Sequence, residues 1–129
     1  MSKQMKPLKV KTLQELFRNK NRWIKDAAAA YRVPASATYK AQVGKPNLRW
    51  RLKRCDPTNK KAEVFCLLGG LHRVYRKRQA FEDAAKRLSQ VILSFTLPGS
   101  EWSTSIVGFN DHTKTTIQHI RQIVKKAKV

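Results

Sequence analysis

Acidic residues are scarce in this chain of 129: eight Asp and Glu stand against 28 Lys and Arg, a formal charge of +20. So few carboxylates leave little material for a metal-dependent active site, which needs clustered acids to hold its ions. The only adjacent pair is Glu82-Asp83. Cysteine is limited to Cys55 and Cys66, which excludes a disulfide framework and leaves reduced thiols as the expectation. Three dispersed histidines with two cysteines match no zinc-ligand spacing, so neither metal nor other cofactor is expected. Five glycines and five prolines are too few for a low-complexity chain. No stretch approaches the roughly twenty apolar residues that span a bilayer. No apolar segment follows the basic start Met1–Lys6, so no secretory signal is expected and the reading is a cytoplasmic protein, or one of the host cytoplasm if viral.

What the chain has in excess is positive charge. A pI near 10.7 attracts any dense polyanion, and nucleic acid is the commonest, because releasing condensed counterions from phosphates drives binding. The competing account is a surface charged for solubility, but such surfaces mix both signs at a modest net charge. Hydrophobic residues make up 41%, enough for one compact domain. No internal repeat is present.

Residues 1–11 read as a flexible basic arm, with Lys3, Lys6, Lys9 and Lys11 around Pro7. Residues 12–129 read as a single all-α domain of four helices, with an irregular connection, or a short β-hairpin, at 33–56. The first helix is expected from Thr12, whose spacing to Glu15 is that of a capping box. Its stripe runs through Leu13, Leu16, Phe17, Ile24, Ala27, Ala28 and Tyr31 to a stop at Val33, before Pro34. Asp56-Pro57 is expected to open the second, most buried helix, running to about Lys77. Gly69-Gly70 in its middle costs about 1 kcal/mol per glycine relative to alanine, which suggests a close approach by another backbone. The third helix spans about 79–95, with Phe81, Ala84, Ala85, Leu88, Val91, Ile92 and Phe95 at helical spacing. A loop carrying Trp102 and Ile106-Val107 follows. The fourth helix opens between Asp111 and Thr116 and turns Ile117, Ile120, Val124 and Ala127 inward.

The sharpest candidate site is Leu48-Arg-Trp-Arg-Leu-Lys-Arg54, where apolar and basic residues alternate with period two. Arg49, Arg51, Lys53 and Arg54 could hold phosphates while Trp50 stacks on a base or sugar. Against stacking, a tryptophan flanked by leucines at that period is more often a core anchor, so the neighbouring arginines are better phosphate contacts than Trp50 is a base contact. Arg76, Lys77 and Arg78 after the second helix, and Lys125 and Lys126 in the last, complete the candidate phosphate contacts. The last pair also suits the helix dipole. No motif for sequence-specific readout is present.

Catalysis has weaker footing. Cys66 with His72, His112 or His119 and Asp111 could in principle form a thiol triad, but Cys66 lies in the apolar stretch Val64–Leu68, where buried cysteines are common. No enzyme is expected. The four apolar helix faces are all needed for one small core, which leaves no spare amphipathic helix for a membrane surface. The expectation is a protein that binds DNA or RNA through the phosphate backbone, without strong sequence specificity. The alternative is a small basic phage-type inhibitor or adaptor that docks on an acidic protein surface or a nucleoprotein complex.

From residue 57 onward the chain resembles a small, mainly helical domain family of unknown function found in bacterial and phage-type genomes. The resembling pieces are Phe65-Cys66-Leu-Leu-Gly69-Gly70-Leu71-His-Arg73 and Ile106-Val-Gly-Phe109-Asn110-Asp111. Asp56-Pro57 and Trp23 also suit its layout. Two departures are Phe109, where the family has tryptophan, and Gly69-Gly70, where it has Gly-Ala. The resemblance implies that Cys66, Gly69, Asn110 and Asp111 meet in space. In one account Gly69 lets the 109–111 loop approach the central helix, while Asn110 and Asp111 tie backbone groups and cap the last helix. In the other, Cys66 and Asp111 share a pocket.

Overall fold

The computed structural model describes residues 8–96 and 105–129. Along the chain come α1 (Leu13–Leu16), a 3₁₀ turn (Lys20–Arg22), β1 (Ala29–Pro34), α2 (Ala37–Val43), β2 (Trp50–Arg54) and β3 (Val64–Phe65). They are followed by α3 (Leu67–Val74), α4 (Arg78–Phe95), α5 (Ile106–Asp111) and α6 (Ile117–Ala127). The three strands form an antiparallel sheet in the order β2–β1–β3, and Trp23 adds a parallel bridge to Phe65 beyond β3. The fold is therefore mixed α/β, not the all-α four-helix domain the periodicities suggest.

The helices that packing alone can specify are where they were expected. On α4, Ala84, Leu88 and Ile92 are buried; on α6, Ile120, Ile123, Val124 and Ala127 are buried. They pack on each other, α4 also on α3 and α6 also on α1, around Phe17, Leu67, Leu71 and Phe109. The last helix starts with Thr116, whose side chain accepts from the His119 N–H while the His119 ring accepts from the Thr116 N–H. Asp111 is not its cap; it ends α5, a helix that the apolar loop at Ile106-Val107 concealed.

The first two expected helices are broken up. α1 lasts one turn, capped by Thr12 as its spacing indicated. Asn19 then turns onto the Asn21 N–H at 2.9 Å, and Asp26 takes a left-handed conformation, φ 65°, which aspartate tolerates. Ala29 and Ala30 beyond it are extended because β2 and β3 supply backbone partners on both sides, overriding alanine's helix propensity. Pro34 sits at the end of β1, past the last pairing with β3, where its missing N–H costs no ladder bond. Asp56 and Asn59 likewise bond their own backbones two residues on, at Thr58 and Lys61, both at 2.8 Å. These local bonds compete with helix, so α3 starts only at Leu67, with Cys66 as cap.

Gly69 is where the sheet meets this helix. A Cβ there would overlap the Ala28 carbonyl, with the Ala28 carbonyl carbon 2.6 Å away. The close backbone approach inferred from the glycine pair is real, but the approaching segment is the entry to β1, not the 109–111 loop. The expected basic arm falls largely at residues 1–7, outside the described residues; Leu8 and Val10 pack on the core.

Candidate nucleic-acid interface

Between Tyr31 and Arg54 no residue joins the core. This segment is a hairpin whose strands pair Ala30 with Arg54, Tyr31 with Lys53, Arg32 with Leu52, Val33 with Arg51 and Pro34 with Trp50. Paired residues share a face of the sheet and successive residues alternate. One face therefore carries Tyr31, Val33, Arg51 and Lys53, and the other Arg32, Pro34, Trp50, Leu52 and Arg54. The alternation read from residues 48–54 is thus correct, and as a period of two requires it sets Trp50 and Leu52 on the face opposite Arg51 and Lys53. Trp50 is no core anchor: it is half-buried, with the Arg32 guanidinium 5.9 Å from its ring centroid.

The aromatics that accompany the cations are Tyr31 and Tyr39, which sequence reasoning missed. Lys61 Nζ lies 5.8 Å from the Tyr31 ring centroid, and the Arg51 guanidinium 5.6 Å from that of Tyr39 on α2. Their signal, period two through Tyr31 and Val33, is visible only once the alanine run before them is recognised as a strand. Residues 31–61 hold nine Lys and Arg and one acid, Asp56; of the nine, Arg32 is paired with Glu63 at 3.1 Å. Arg49, Lys53 and Arg54 are exposed and Arg51 is half-buried.

The second candidate group adjoins the base of the same face. Arg73 on α3 donates to the Pro57 and Asn59 carbonyls, at 3.0 and 2.6 Å, and lies over the Phe65 ring. Burial and the nearby Arg76 push its pKa below the usual guanidinium value; its two carbonyl bonds make it an anchor between α3 and the turn that follows the hairpin. Arg76 and Arg78 line a cleft of about 310 Å³ with Thr58, Tyr75 and the stacked pair His72–Phe81, whose centroids are 4.3 Å apart. Arg78 is held by Glu82 at 3.0 Å, and Lys77 precedes α4 as an exposed cap residue. Lys125 and Lys126 belong elsewhere. They are exposed in the last turn of α6, where Lys125 lines a different cleft with Gln14, Arg18, Arg121 and Val124.

The groups proposed for a thiol triad have structural tasks. Cys66 Sγ accepts from the Gly69 N–H at 3.2 Å, and burial pushes its pKa up, which disfavours the nucleophilic thiolate. His72 stacks on Phe81, His112 Nδ1 accepts from Lys114 N–H, and His119 closes the α6 capping box. Asn110 is fully buried and satisfied. Its Oδ1 accepts from Trp23 Nε1 at 2.7 Å and Leu67 N–H at 3.0 Å, and its Nδ2 donates to the Ile24 carbonyl and Asp111 Oδ1. Asp111 accepts from the Asp26 N–H at 2.9 Å. Of the four residues the resemblance brings together, Asn110 bonds Asp111 and the Leu67 N–H beside Cys66, while Gly69 meets Cys66 and Ala28 and not the 110–111 pair. The knot joins Trp23–Asp26, the start of α3 and α5. Among the described residues no three His, Cys, Asp or Glu are grouped to hold a metal ion, and no helix is long and apolar enough to cross a membrane. No protein-family model, curated protein or solved structure matches the chain.

Proposed function

We propose that the protein binds nucleic acid through its phosphate backbone, with the β1–α2–β2 hairpin as the principal contact. The observation that carries this reading is a segment from Tyr31 to Arg54 that adds nothing to the core yet concentrates cations with no acid between Arg32 and Arg54. Hydrophobic burial does not account for such a segment, and mutual repulsion opposes it unless a polyanion neutralises the charge. Arg49, Arg51 and Lys53 are the primary phosphate contacts, joined by Arg54 from the opposite face at the end of β2. Arg76, Lys77 and Arg78 extend the footprint past the Arg73 anchor. Lys125 and Lys126 form a secondary patch on α6.

The test is affinity for nucleic acid titrated with salt. A log–log slope of about −5 or steeper, with binding persisting near 150 mM salt, is expected. R51E/K53E should weaken every sequence alike and shallow the slope by about two, one for each phosphate no longer neutralised. An unchanged slope removes the hairpin from the footprint. No binding to any nucleic acid at that salt overturns the proposal, and saturation at a fixed ratio with an acidic protein replaces it with the adaptor reading.

A further inference from the structure

We infer that α2, at the tip of the hairpin, enters the major groove of duplex DNA; this rests on the phosphate-binding reading above. None of its residues is buried. Its outward residues, Ala37, Thr38, Ala41 and Gln42, are exposed and uncharged. Val43 in its last turn is exposed as well. Lys40 lies on the helix, Lys45 follows its Gly44 cap, and Arg51 is held against it over the Tyr39 ring, with Arg49 just before β2 in the chain. A neutral, slim helix face framed by cations is the division of labour that groove binding needs: base edges in the centre, phosphates at the rim.

The helix is fixed without help from the core. The Ser36 hydroxyl accepts from the Tyr39 N–H at 3.1 Å. Gly44 takes the left-handed conformation, φ 67°, and the N–H groups of Gly44 and Lys45 close on the Ala41 and Lys40 carbonyls. The Arg51–Tyr39 contact ties the helix to β2. Such a preorganised element loses little freedom on binding.

Dimensions choose the polymer. A helix with its side chains is about 10–12 Å across, and the B-form major groove is about 12 Å wide while the minor groove is about 6 Å. The A-form major groove of duplex RNA is too narrow to admit it. Single-strand binding relies on aromatic platforms, yet the outward face of α2 has none, and Tyr31, Tyr39 and Trp50 each carry a cation near the ring. In the groove, Gln42 can pair with adenine N6 and N7, Thr38 can bond a base edge, and the Ala37 and Ala41 methyls can meet thymine methyls.

The experiment compares fluorescein-labelled duplex DNA of about two helical turns, its single strand, and the matching RNA duplex, all near physiological salt. Dimethyl sulfate then probes guanine N7, a major-groove atom. The DNA duplex should bind at least about tenfold more tightly than the other two and show N7 protection. T38E/Q42E, at two exposed positions, should keep the thermal midpoint. It should cost duplex DNA at least about tenfold more than it costs the single strand, which feels the two added charges but holds no groove wall against them. Equal binding to RNA duplex or single strand, unimpeded N7 methylation in the complex, or an equal loss on every polymer overturns the inference while leaving phosphate binding intact. No binding to any of the three overturns both.

Discussion

Gly69→Ala should destabilise the protein by about 3 kcal/mol, although helix propensity alone favours the change by about 1 kcal/mol. The added methyl would overlap the Ala28 carbonyl, a backbone group that cannot rotate away. Either α3 or the entry to β1 must move, and overpacking of this kind costs about 1–3 kcal/mol or somewhat more. That movement also strains the Cys66 N–H to Ala28 O bond, 3.2 Å long, for about another 1 kcal/mol. With an unfolding entropy of about 2.1 cal/mol/K per residue, the midpoint should fall by roughly 10 °C. Gly70→Ala is the control. It sits in the same helix with the same propensity gain, but its Cβ would meet side-chain ends and no backbone: Leu13 Cδ2 at 2.8 Å, Leu16 Cδ2 at 3.1 Å and Phe17 Cζ at 3.2 Å. Those ends can shift, so its loss should be clearly smaller. Urea denaturation of both variants decides the matter. If Gly69→Ala matches the parent or exceeds it in stability, the close approach of sheet and helix is refuted.

The buried amide and the two thiols give further tests. Asn110→Ala would orphan the Trp23 indole N–H, the Leu67 N–H and the Ile24 carbonyl, at about 1–3 kcal/mol for each buried group left unpaired. A total loss of about 3–5 kcal/mol is expected by chemical denaturation, and a loss under about 1 kcal/mol would mean the knot is not structural. Burial raises the pKa of both Cys66 and Cys55 in the folded protein. The unfolded chain therefore loses its thiol protons first, and stability present below about pH 8.5 should decline as pH rises above it. C55S/C66S should flatten that decline; an identical pH profile in parent and variant would contradict the assigned burial. Iodoacetamide at pH 8 should label Cys66 only on unfolding, as followed by mass spectrometry.

How much was legible depends on whether the governing interactions were local. The α4 and α6 stripes repeat over several turns, so each helix announces the face it buries. The extended state of Ala29-Ala30 is not written in those residues, because alanine favours helix. It arises from pairing with β2 and β3 and from the space that Gly69 leaves for Ala28. α2 stayed hidden between Pro34 and Pro46, too short for a periodic signal and without a buried face to reveal it. The cationic alternation at 49–54 was readable, since period two is a backbone property. Its aromatic partners were not, because Tyr31 and Tyr39 reach it only through the strand pairing and the fold of the tip.

The amino-acid sequence by itself determined the +20 charge, the scarcity of acids and the amphipathic faces of α4 and α6, because these follow from composition and short-range periodicity. Only the tertiary structure decided that the cations stand on a hairpin outside the core, that Arg51 and Lys53 share a face with Tyr31, and that Asn110 ties three segments together. Each of these depends on pairing residues distant in the chain, and no local pattern encodes which strand will be the neighbour.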